Sequence, residues 1–496
     1  MRLLRHLLAG LLLIGSAADA ADKTLRMAIT TLPTSFANPF VTANTPAIGV
    51  TSALYDGLTH IARDGTVKPW LAIAWQNVDA KTWRFELRRD VKFSNGAAFN
   101  AGTVAAVVDA LASPGFPNEN LRRELPKLAK ARVVDPFTVE ITTAEPQPLF
   151  PRWASILLMH EPGALRKMGT DKYAKDPVVT GPYSVQKWEP NKVHLKAENK
   201  SWRKPKVEKI EITALPDTAA RVAALLSKRM DIVTALGPED VQAVVAGGAK
   251  SISWTDGSVA GISFVTSRKL PFNDVRVRQA MNMAVNRDAI VEILLHGATV
   301  TANQPAGRYV LGYDPGAPPY PYDPAKARAL LASAGHPDGF RFTLETAGNG
   351  AAALSVYQQV AADLKKVGVT MEIRTVPVPQ FFRDVLHTGD TADAITLSWI
   401  SAPSLDVLPA IRVHSCLQQQ PWYCDPDVTP LYTAAVSEFD DAKGLALRRQ
   451  ISLRYHDQAP ALFLYEQVLF AGLSKRVSGF EDVYGFISYD KLDIRD

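Results

Sequence analysis

Strand-like and helix-like segments alternate along most of this 496-residue chain, a pattern that folds into helices layered on sheets rather than into an all-β sandwich. "LRMAI" at 25–29 is a short apolar run ending in the Thr-, Pro-, Ser- and Asn-rich loop 30–39, and it reads as a first strand. "TWRFELR" at 82–88 alternates Trp83, Phe85 and Leu87 with polar residues, the period of a half-buried strand. Asn100 then caps an apolar helix through Leu111. Further strands are expected at 137–142, 192–197, 207–213 and 261–266, and helices at 217–227, 274–295, 323–334, 351–367 and 440–457. The helix at 323–334 stops at Gly335 and turns through Pro337, Asp338 and Gly339 into the strand "FRFTLE".

The N-terminus sets the compartment. Arg2 and Arg5 precede an apolar run from Leu7 to Ile14 and then Ala18-Asp19-Ala20, the layout of a secretory signal peptide over residues 1–20. Its apolar core is too short to span a bilayer, and no later run of about 18 apolar residues follows. No cysteine stands near the cleavage site, so a lipid anchor is not expected. About 476 residues remain, too many for one core and enough for two or three domains. The chain has two cysteines, Cys416 and Cys424, and export to an oxidising compartment predicts a disulfide between them.

With 47% hydrophobic and 21% charged residues the chain is globular, and no repeat or low-complexity segment interrupts it. The net charge is only +5, and the lysines and arginines are dispersed, which argues against nucleic-acid binding through a basic patch. There is no G-x-S-x-G elbow, no H-E-x-x-H and no Gly-rich phosphate loop. Two S-x-x-K matches, Ser184 to Lys187 and Ser201 to Lys204, read as surface strand ends, since no K-T-G follows. No histidine pair has i, i+4 spacing, so no metal site and no cofactor site is visible. Ser404, Asp406 and His414 form a hydrolytic trio in sequence, but proximity on one loop does not supply triad geometry.

Four blocks carry a resemblance. They are "DGTVKPWLAIAWQNVDAKTWRFELRRDVKFSNGAAFNAGTV" from Asp64, "VVTGPYSVQKWEPNKVHLKAENKSWRKPKVEKIEI" from Val178, "LPFNDVRVRQAMNMAVNRDAIV" from Leu270 and "YPYDPAKARALLASAGHPDGF" from Tyr320. In content and order they resemble the family 5 solute-binding proteins of ABC importers, which bind dipeptides, oligopeptides, nickel complexes and opines. The resemblance covers nearly the whole mature chain and specifies the family far better than the ligand. It implies an α/β, two-lobed periplasmic-binding-protein fold of type II, in the large three-subdomain variant, closing on its ligand about a hinge. Lobe I would comprise 21–267 plus 470–496, with an extra subdomain at about 55–177, and lobe II 268–469. The implied role is that of a monomeric receptor in a Gram-negative periplasm that delivers a peptide-like, opine-like or chelate ligand to membrane permease subunits, without covalent chemistry.

The resemblance also points to cleft residues. In peptide-binding relatives a Trp ends a strand and the following segment lines the cleft; here that Trp matches Trp399, after "DAITLSW". The acidic residue that pairs with a peptide ammonium three positions later is replaced by Ala402, which argues against ordinary free-amino peptides. Asp406 is the candidate substitute, its other role being a helix N-cap. Arg412 suits a ligand carboxylate or phosphate, and His414 and Trp422 are further cleft candidates, with Tyr423 either in the cleft or packed on the disulfide. Ser35 and Phe36 are the lobe I candidates, and Arg122 and Arg123 fall near a region that holds polycarboxylates in nickel-chelate relatives. Two other classes stay open on sequence: an exported serine hydrolase or transpeptidase, and an interaction protein serving a chaperone client or a chemoreceptor.

Overall fold

The computed structural model describes residues 23–41, 45–114, 121, 125–347 and 351–495. The expected signal peptide 1–20 and the candidates Arg122 and Arg123 lie outside the described residues. Among the described residues no helix is long and apolar enough to cross a membrane.

A ten-stranded sheet organises the chain. Its centre is an antiparallel ladder between two long strands, Lys250–Phe264 and Ala461–Leu473. On one side the sheet continues through Ala394–Ile395, Arg341–Ala347 and Thr370–Val376, with the last two parallel over seven residue pairs. On the other side come Ile232–Leu236, Thr24–Ile29 and Lys209–Ala214, again parallel, and then the hairpin Lys192–Ala197 and Tyr183–Glu189.

The two long strands feed different cores at their two ends. Ile262, Phe264, Leu462 and Leu464 pack with helices Val275–Ala284 and Ala351–Lys365, whereas Trp254, Ala471 and Leu473 pack with Leu25, Met27 and Ile212. Between these ends the ladder loses register, at Thr255 to Val259 and again at Ala260 to Gly261. Gly257 lies in the first break at φ +79°, and a Cβ there would stand 2.8 Å from Leu405 Cδ2. A bulge of this kind bends both strands and marks where one layer hands over to the other.

A separate four-stranded antiparallel sheet of Ala72–Asp79, Thr82–Leu87, Thr138–Thr143 and Leu128–Asp135 is covered by helix Ala101–Ala112. Asn100 caps that helix as expected, its side chain accepting the Thr103 N–H at 3.1 Å. The expected 274–295 helix is interrupted: Val285 is extended, and Asn286 restarts a turn by accepting the Ala289 N–H at 3.0 Å. The buried Arg287 side chain explains the break, since its guanidinium reaches back to Asn282 and across to the Phe463 carbonyl.

Candidate functional site

A cavity of about 460 Å³ opens where the ladder breaks. Three separate pieces of chain wall it: the broken stretch of the long strands (Trp254, Asp256, Gln467), the segment Ser398 to Ala402, and a C-terminal hairpin with Asp482 and Tyr484. The end of the first strand and helix Thr45–Thr51 close the remaining side.

The hairpin is built by its turn. Asp482–Val483 pairs with Phe486–Ile487, leaving the two-residue loop Tyr484-Gly485, both at positive φ, +55° and +89°. Asp482 Oδ1 accepts the Gly485 N–H at 2.8 Å, which fixes the turn, and Tyr484 donates its hydroxyl to the Arg63 carbonyl at 2.9 Å. The hairpin is anchored to helix Thr45–Thr51, where Ile487 N–H donates to Ser52 Oγ and the Tyr489 hydroxyl to the Gly49 carbonyl.

Two carboxylates face this cavity. Burial pushes Asp482 up to about 6, with the neighbouring Asp256 charge adding to the rise while the Gly485 N–H and Arg63 oppose it. Burial also raises Asp256, against the hydrogen bond it accepts from Ser258 N–H at 2.9 Å. Among the described residues no Lys, Arg or His nitrogen forms an ion pair with either; Arg63 reaches the Asp482 carbonyl, at 3.4 Å, rather than its carboxylate. Among the described residues no cationic side chain lines the cavity.

The family model for bacterial extracellular solute-binding proteins, family 5, matches residues 66–411. The chain belongs to that family. It is 29% identical over 488 residues to the glutathione-binding protein GsiB of Salmonella choleraesuis, covering 92% of each chain. It is 27% identical over 499 residues to the dipeptide-binding protein of Escherichia coli K12, covering 94% of this chain and 93% of the relative. The fold matches that of NikA from Brucella suis in complex with Fe(III)-EDTA, at TM-score 0.81 and 24% identity over 95% of this chain and 100% of the other. It also matches the ABC transporter substrate-binding protein CtaP of Listeria monocytogenes, at TM-score 0.86 and 18% identity over 95% and 99%. The two-lobed α/β fold and solute-binding role expected from the sequence are those of this family, whose members are transport receptors and not enzymes.

Within this solute-binding protein several expected cleft residues take other places. Trp399 is 1% exposed and stacks on His414 at 3.7 Å between ring centroids, with Tyr455 and Phe463 against its other sides. Strand alternation is the reason. Trp399 exchanges both backbone hydrogen bonds with Val259, so its side chain turns into the core while Ser398 and Ile400 face the cavity. His414 is equally buried, with Nδ1 3.3 Å from Ser263 Oγ, and burial pushes its imidazole down to about 3. Trp422 packs edge-on against His414, and its carbonyl accepts the Thr266 N–H at 2.7 Å; Tyr423 packs on Tyr455.

Asp406 is engaged by Arg448 through two contacts of 2.9 and 3.1 Å, and it caps helix Val407–Val413 by accepting the Leu408 N–H. It is therefore engaged within the fold, and it does not line the cavity. Arg412 is exposed and borders a different depression, shared with Pro409 and Tyr432. Ser35 and Phe36 do not wall the cavity: the Ser35 carbonyl accepts the Asn38 N–H, and Phe36 sits edge-on to Trp188. Ala402 does line it. The hydrolytic trio does not assemble, because Asp406 is held by Arg448 and His414 by Ser263 and Trp399. Cys416 and Cys424 are bonded to each other, in the loop between helices Val407–Val413 and Val428–Ser437.

Sequence reasoning missed Asp256 and Asp482. A signal existed for the first: Asp256-Gly257 is a turn dipeptide inside an otherwise strand-like run, which points to a bulge. Asp482 carries none, because its place depends on the C-terminal hairpin folding back onto helix Thr45–Thr51.

Proposed function

We propose that this chain is the soluble receptor of an ABC importer, exported by cleavage of residues 1–20 into a Gram-negative periplasm. As a monomer it captures a small solute in the 460 Å³ cavity and presents the loaded form to permease subunits in the inner membrane. The observation that carries this reading is the position of the cavity, at the register break of the two strands that join the two cores. Rotation about Thr255 to Gly261 and the facing stretch of Ala461–Leu473 would close Ser398 to Ala402 over a ligand held by the C-terminal hairpin, so that ligand contacts select the closed state. On this reading lobe I runs from about 21 and includes the tail after about 470, the subdomain at about 55–177 extends it, and lobe II lies between. Glutathione and dipeptides, named for relatives, define the size class: a peptide-like or comparably small solute.

The test is native mass spectrometry of the protein purified from its own periplasm, followed by thermal shift against peptide, opine and metal-chelate panels. A bound mass of one small molecule per chain, and a melting shift growing with ligand concentration as RT ln(1 + [L]/Kd), are expected; a ligand at about 100 Kd adds roughly 2.7 kcal/mol. Turnover of a bound compound, or no binding by any route, would refute the receptor reading.

A further inference from the structure

Resting on that reading, the cavity's charge specifies a class of ligand. Asp482 is 8% exposed, one of its oxygens accepts the Gly485 N–H, and the other takes no hydrogen bond among the described residues. Asp256 accepts from Ser258 and its own backbone, and no cationic side chain pairs with it among the described residues. Trp254, 7% exposed in the same wall, has an indole N–H without an acceptor among the described residues. Elsewhere in the fold buried acids are answered: Asp406 by Arg448, and Asp56 by Arg203. Two carboxylates that share a cavity and form no ion pair among the described residues repel each other and are costly to desolvate, unless a positive charge arrives between them.

We infer that Asp256 and Asp482 together receive the cationic group of the solute, an ammonium or amidinium on a body with an apolar face, and that they do the work an acid at Ala402 does in peptide-binding relatives. The apolar face would lie on Ile400, Leu469 and Ile487, which line the same space. The free Trp254 N–H leaves room for one neutral acceptor, such as a ligand carbonyl. With no Arg or Lys among the described residues of the wall, a ligand carboxylate finds no cationic partner there, so the site favours a net cation over a zwitterion and a zwitterion over an anion.

The experiment compares five probes on the mature protein, freed of bound ligand by unfolding and refolding: leucyl-alanine amide, leucyl-alanine, N-acetyl-leucyl-alanine, glutathione and, as a small dication, cadaverine. Affinity is read by calorimetry at pH 7.5 and pH 6. The expected order is amide above free dipeptide, with the acetylated peptide and glutathione at least tenfold weaker. Asp256→Asn and Asp482→Asn should each weaken the amide about tenfold while the variants melt no lower than the parent. Proton release on binding at pH 6 should vanish in Asp482→Asn. Tighter binding of the acetylated peptide or glutathione, cations that leave the protein unchanged, or Asn variants that bind the amide as the parent does would overturn the assignment. An anion bound one to one would do so while leaving the receptor reading intact. Absence of any bound solute, from the panel or from the periplasm, would overturn both.

Discussion

The carboxylates of Asp406 and Asp482 are almost equally buried, 6% and 8% exposed, yet they live in opposite surroundings. Asp406 sits inside the fold, where it caps a helix and meets a guanidinium at two points. Asp482 faces a cavity with one backbone donor and a second acid nearby. A folding chain completes the electrostatics of its interior, so an incomplete buried acid at the mouth between two cores marks a place completed by something else. The same contrast separates Trp399 from Ile400: adjacent in sequence, one closes the core and the other, 53% exposed, waits on the cavity.

The largest expected effects lie on the structural side of this contrast. Arg448→Met leaves Asp406 buried without its partner and should cost about 3 to 5 kcal/mol in chemical denaturation. Trp399→Ala opens a hole beneath His414 and should cost about 3 to 5 kcal/mol. Ile400→Ala, by contrast, should change stability by about 0.5 kcal/mol or less and alter ligand affinity instead. A similar stability loss at Ile400 would erase the distinction between core and cavity positions.

Asp482→Asn should act in the opposite direction on the ligand-free protein. The folded state holds the Asp482 proton more tightly than the unfolded chain does. Its contribution is therefore complete below pH 3.8, falls as pH rises, and is lost above about 6. The displacement corresponds to about 3 kcal/mol, so the variant should be more stable than the parent above pH 6 by up to that amount, and its melting temperature should depend less on pH between 4 and 7. Equal pH profiles would mean that Asp482 is satisfied after all. A smaller effect is expected at the disulfide: Cys416→Ser with Cys424→Ser should lower stability by roughly 2 to 3 kcal/mol in the chain-entropy model, without changing the order of ligand preference, because neither cysteine walls the cavity.

Local signals in the chain held well where local physics decides. The helix after Asn100, the strand Thr82–Leu87 and the helix before Gly335 follow from caps, period-2 alternation and a left-handed glycine, all contained in a few neighbouring residues. The break after Ala284 escaped because Arg287 is drawn to the Phe463 carbonyl, a partner far along the chain. Only the end of the strand Lys250–Phe264 was legible, since Asp256-Gly257 interrupts its pattern. The cysteine pair, away from the cavity, could be read directly, and Ala402 stands in the cavity wall, within the segment that the resemblance pointed to. Choosing Trp399 as a wall failed by one residue, because alternation along a strand says that neighbours part but not which of them faces in.

The sequence alone determined the family, the layered α/β class and the pairing of its two cysteines. Those rest on residue identity and short-range spacing. Which acids meet the cavity was decided only in three dimensions. Asp256 and Asp482 lie more than two hundred residues apart, and they become neighbours when the broken ladder and the C-terminal hairpin fold together, leaving two like charges that no Lys, Arg or His nitrogen pairs with among the described residues.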